Sequence, residues 1–164
     1  MTRVAGEPKG ATPRSCVLAA RAAAAVMACV ATFQVALVVG APWGAYTQGG
    51  ETHGTLDASG RVVAAVSCAI MLLMAAAILA RVREGPLKNA PGRLVAALAW
   101  FATIYSALSV LLNLATRSSS ERAVFAPTAI LLFVLVATAM VGSTDPLAHP
   151  PRPGATLHDG RGER

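Results

Sequence analysis

Long runs without a charge set the pattern of this chain. Four intervals, Ala22–Pro42, Val62–Ala80, Leu94–Thr116 and Ala123–Thr144, contain no Asp, Glu, Lys or Arg. Each holds about 20 residues, the length a helix rising 1.5 Å per residue needs to cross roughly 30 Å of hydrocarbon. A buried helix in a soluble domain rarely runs that far uncharged. The pattern predicts an all-α, polytopic membrane protein with four transmembrane helices in two hairpins, over about 20–41, 62–80, 94–115 and 123–142. Tails at 1–15 and 143–164, rich in Pro, Gly and Arg, read as disordered segments flanking a membrane domain at 16–142. The first apolar run is too long for the core of a cleaved secretory signal.

The polar positions inside these runs are sparse and patterned. On the third span Thr103, Ser106, Ser109 and Asn113 recur at helical spacing and make a stripe on one face. The first span carries Thr32 and Gln34, and the second carries Ser67. Counted from the predicted outer boundaries, Gln34, Ser67 and Ser109 share a depth, with Asn113 slightly nearer the surface. They form a polar seam in the outer half of the bundle. The plainer reading is glue, side chains that hydrogen-bond from helix to helix. The sharper one is a small pocket open to the outside.

The connections carry their own signals. In "GAPWGAYTQGG", Gly40 to Gly50, Pro42 disfavours helical geometry at Ala41 and predicts the end of the first helix there. Trp43 and Tyr46 suit an interfacial aromatic belt. Gly49-Gly50 is a turn signal without the Lys-Ser/Thr ending of a phosphate loop. In "TRSSSER", Ser118, Ser119 or Ser120 can cap the fourth helix, and Glu121 suits its positive dipole end. Pro127 is expected in its first turns, where a missing amide proton costs least.

Composition sharpens this picture. The chain has 55% hydrophobic and 13% charged residues, with a mean hydropathy of +0.57. The net charge of +6 is unevenly placed. Of 14 Lys and Arg residues, all but Arg61, Arg117 and Arg122 fall before the first span, between the second and third, or after the fourth. Cytoplasmic segments carry such an excess. Both termini are therefore expected inside, with the loops at 43–61 and 117–122 outside. The basic clusters are read as neighbours of lipid headgroups, with no nucleic-acid role.

Chemistry is harder to find. No acid and no Lys lies within a span, which argues against a cation- or proton-coupled carrier. His53, His149 and His158 all fall outside the spans, so no haem ligand is expected in the bundle. Glu51, His53 and Asp57 are potential metal ligands on one loop, but their spacing matches no standard site. Cys16, Cys29 and Cys68 form no paired redox motif. No nucleophile has a base at recognisable spacing. No catalytic residue, cofactor or metal is expected.

"GAPWG…GG…G.L…R" over Gly40–Arg61 and "NLATRSSSERAVFAP" over Asn113–Pro127 resemble a bacterial, actinobacterial-type family of small, uncharacterised four-helix integral membrane proteins. The resemblance covers about residues 15–142. Asp57 and Phe125 depart from the family pattern, which has Pro and Trp at those places. It implies the four-helix fold and a bacterial cytoplasmic membrane, and brings no activity. The candidate outer-face polar site is Gln34, Trp43, Ser67, Ser109, Asn113, Glu121 and Arg122. The leading functional expectation is an accessory or structural membrane protein acting through lipids, itself or another membrane protein. An oligomeric channel or facilitator follows, then an outer-face sensor or enzyme built on 113–127 and the 43–60 loop.

Overall fold

A computed structural model describes residues 12–50 and 52–142. It contains four long helices: α1 (Arg14–Val38), α2 (Ala58–Arg81), α3 (Gly92–Ala115) and α4 (Ser119–Gly142). Among the described residues there is no strand. Each helix has 24 or 25 residues, about 36 Å at 1.5 Å per residue. All four are long and apolar enough to cross a membrane, the make-up of a multi-pass membrane protein. The segments 1–11 and 143–164, most of the two tails read as disordered, lie outside the described residues. Arg14 and Ser15, assigned by sequence to the first tail, instead begin α1.

The helix ends follow local chemistry rather than the ends of the apolar runs. Gly40 stops α1 at Val38, earlier than Pro42 predicts. With φ at +99° it closes a Schellman turn, in which the Ala41 amide donates to Ala36 O and the Gly40 amide to Leu37 O. Asp57 starts α2 four residues before the apolar run by accepting the Gly60 amide at 2.7 Å. Ser118 Oγ accepts the Glu121 amide at 3.2 Å and caps α4, with Glu121 in its first turn. That earlier start leaves Pro127 deep inside α4, about 12 Å along it, rather than in the opening turns. The bond its nitrogen would have given to Ala123 O is lost there.

The helices run up, down, up, down around a square. α1 packs on α2 and α4, and α3 packs on α4 and α2; the α2–α3 seam is the loosest of the four. Small residues fill the interior. Ala20, Ala23, Ala99, Ala102 and Ala139 are buried beside Met27, Met74, Ile78 and Val136. Large apolar residues face outward instead, among them Leu18, Leu72, Trp100, Ile104 and Leu111. In water this belt would be a large exposed apolar patch. In lipid it costs nothing, and small interior residues let the backbones approach closely.

The two ends of the square are tied differently. At one end Arg21 grips Glu84 through two bonds, 3.0 and 2.7 Å, fastening α1 to the α2–α3 connection. This pairing holds the Glu84 carboxyl below its ordinary range, chiefly through the hydrogen bonds Arg21 donates. At the opposite end the α1–α2 connection carries two 3₁₀ turns, Gly44–Tyr46 and Gln48–Gly50, which pack against the start of α4.

Candidate functional site

The loop end of the bundle is hollow. A cavity of about 880 Å³ lies beneath the 3₁₀ turns and receives side chains from all four helices. Tyr46, Thr47, Gln48 and Gly49 roof it, and Thr116, Arg117 and Glu121 stand at its rim. Its middle is lined by Gln34, Ser67, Ser109, Asn113 and Thr128, and its floor reaches Met71 and Leu132. Those floor residues lie about 20 Å along their helices from the loop end. The volume is within the range of small-molecule sites.

Hydrogen bonds hold the roof down. The Gly49 amide donates to Glu121 Oε2 at 3.0 Å, and the same oxygen accepts the Thr116 hydroxyl at 2.9 Å. Ser118 Oγ donates to Ala45 O at 3.3 Å, and Gln48 Nε2 donates to Gly60 O at 2.9 Å. Gly44 sits at a close backbone approach: its amide donates to Gly54 O, and a Cβ would lie 2.6 Å from Thr52 O. The helix cap at Asp57 anchors the far end of this loop. Its carboxyl sits below the ordinary aspartate range, first because the Gly60 amide donates to it and then because the Ser59 hydroxyl does.

Of the residues marked in the sequence, Gln34, Ser67, Ser109, Asn113 and Glu121 share the cavity wall. Trp43 does not reach it. Its ring stacks on Phe33, 5.8 Å between centroids and 6° between planes, and Phe33 in turn meets Phe125 of α4 at 5.2 Å. Arg122 also points elsewhere and donates to Thr116 O at 3.1 Å. Glu121 acts first as a fastener for the roof, so replacing it disturbs the loop as well as the cavity. Glu51 lies outside the described residues, and Asp57 is engaged as a cap. Tyr46, Gln48 and Arg117 lie in the two loop segments the sequence marks, without being singled out there as site residues, and they also line the cavity. Their proximity depends on contacts some 70 residues apart in sequence, which no local periodicity encodes.

The bonding of the polar seam is informative. Thr103 donates to Ala99 O, Ser106 to Thr103 O, and Asn113 to Ser109 O and Oγ, all within α3. Thr32 donates to Ala28 O within α1. Neither the Gln34 side-chain amide nor the Ser67 hydroxyl bonds a described residue. No buried side-chain polar atom among the described residues lacks a partner. The free groups of Gln34 and Ser67 are therefore open to the cavity, and the seam does not stitch helices together. Neutral hydrogen-bonding groups ring the middle, hydrocarbon lines the floor, and charge is confined to the rim.

Below the cavity the square closes. Met27, Met74, Ile78, Ala99 and Val136 are wholly buried across its axis. Cys16, Cys29 and Cys68 all carry free thiols. No family model, curated protein or solved structure matches the chain.

Proposed function

We propose that the protein is a ligand-binding membrane protein whose loop-end cavity faces the outside of a bacterial cytoplasmic membrane. The sidedness rests on the placement of the Lys and Arg residues, and the bacterial setting on the resemblance of the two loop motifs. One observation carries the binding role: Gln34 and Ser67 sit at membrane depth with no described partner and open into a cavity. Polar groups kept in a span without bonding one another are expensive to maintain as mere structure. A ligand or ordered water would satisfy them. The reading of the seam as structural glue is less well supported, since glue requires bonds between helices. A path through a single bundle is opposed by the buried plug of Met27, Met74, Ile78 and Val136. The cavity acts as a binding or sensing site, and no catalytic step is assigned to it.

The test is the thermal stability of the Gln34→Leu, Ser67→Ala double variant in detergent without added ligand. A binding cavity predicts a midpoint equal to or above that of the wild type. Structural glue predicts a loss of about 0.6 kcal/mol or more for each interhelical bond removed. Such a loss would sink the proposal.

A further inference from the structure

The boundaries of the cavity are built differently. Toward the aqueous side it is roofed by turns fastened at Gly49–Glu121 and Ser118–Ala45. The α1–α4 side is shut by the Phe33–Phe125 contact. The α2–α3 side has neither kind of closure. At the loop end these two helices lack a direct chain connection, and no described hydrogen bond or ion pair crosses between them there. Val63 of α2 and Leu108 and Leu112 of α3 line the cavity yet stay about half exposed or more, at 51%, 50% and 62%. The cavity is thus open sideways, at a depth that lies within the apolar belt.

We propose that this seam is a lateral portal through which one acyl chain of a bilayer glycerophospholipid enters the cavity; the inference rests on the binding role proposed above. The lining matches that molecule from end to end. Met71 and Leu132 offer a hydrocarbon floor. Gln34 and Ser67, with Asn113 nearer the rim, form a neutral hydrogen-bonding wall suited to ester carbonyls. Gln34 and Ser67 have donors to spare for those oxygens. Arg117 stands at the rim with no described partner, just past the end of α3. Among the described residues Glu121 is the only carboxylate on the wall, and its Oε2 is occupied by Gly49 and Thr116. Arg117 is therefore the charged donor left free at the rim, and it suits a headgroup phosphate.

Two buried residues make the idea testable. Met71 and Leu132 are each 6% exposed, so lipid that merely surrounds the bundle does not reach them. The full chain is reconstituted in vesicles of phosphatidylcholine and phosphatidylglycerol, each lipid in turn carrying a photoreactive diazirine near the end of one acyl chain. Crosslinks are mapped by peptide mass spectrometry. The portal predicts labelling at Met71 or Leu132 as well as at belt positions such as Leu72 and Leu111. Ser109→Phe fills the cavity and abolishes the first while preserving the second. If that variant fails to fold, Ser67→Phe plugs the opposite wall. Arg117→Gln reduces the preference for phosphatidylglycerol at Met71 by about fivefold, the scale of one basic residue at a membrane surface.

Labelling confined to belt positions in the wild type overturns the portal, as does Met71 labelling that survives both plugs. The binding role falls separately, on the stability of the Gln34→Leu, Ser67→Ala variant. Preserved stability with no Met71 or Leu132 labelling leaves a cavity served from the aqueous side.

Discussion

Gly49 and Gly50 both hold a left-handed backbone, at φ +82° and +73°, yet their surroundings differ completely. A Cβ on Gly49 would meet nothing within 4 Å, whereas one on Gly50 would lie 2.5 Å from Ser118 Oγ and 3.0 Å from Ala45 O. Gly49→Ala therefore incurs backbone strain alone, about 1 kcal/mol. Gly50→Ala adds a steric clash that breaks the Ser118–Ala45 fastening and loosens the roof. The expected result is a clearly larger fall in thermal midpoint for Gly50→Ala, with faster amide exchange over 44–50. Equal effects would show that the roof does not need the close approach. The sequence marks this pair as a turn, which it is. It does not reveal which glycine faces Ser118, because that depends on packing between distant segments. Gln34, Ser67, Ser109 and Asn113 were legible for the opposite reason. Helix rise fixes the depth of each from its own span, and helix periodicity fixes the face.

At the scale of the helix, hydropathy locates the spans and single capping residues decide their ends. The apolar run places the start of α2 near Val62, but Asp57 moves it to Ala58. Ser118 does the same for α4, and Gly40 ends α1 before Pro42 has any say. Such shifts cost little in a hydropathy window, and so go unseen by it. The Asp57 cap also has a pH signature. Its carboxyl is depressed in the folded protein, so the stability it contributes is fully present above the ordinary value of 3.8 and is lost as pH falls through the folded value. Asp57→Ala should therefore melt below the wild type at neutral pH, and the gap should close under acid, beginning below about pH 4. Glu84 is depressed too and weakens the wild type in a similar window. Its contribution is common to both proteins and cancels in the difference. A gap independent of pH would mean that the ionised carboxylate is not what caps α2.

For the whole molecule, the interior and the charge distribution make separate statements. Alanine inside with Leu, Ile and Trp outside is the reverse of a water-soluble bundle, and it follows from a solvent that rewards close packing rather than burial of large side chains. The ties between the ends define which segments lie together: Arg21 with Glu84 at one end, Gly49 with Glu121 at the other. Geometry alone does not say which end faces the cytoplasm. The proposed orientation, with the cavity outside, rests instead on the Lys and Arg excess, since cationic segments tend to be retained on the cytoplasmic side during insertion. Thr52 and Lys88 are both exposed and stand at opposite ends. In spheroplasts, a charged maleimide should label Thr52→Cys in intact membranes and Lys88→Cys only after permeabilisation. The wild type serves as the control, since Cys16 is buried and Cys29 and Cys68 lie within spans. Reversed labelling would put the cavity on the cytoplasmic side, with Arg117 facing the inner leaflet. Both cysteines reacting in intact spheroplasts would break the link between this bundle and a membrane-spanning arrangement.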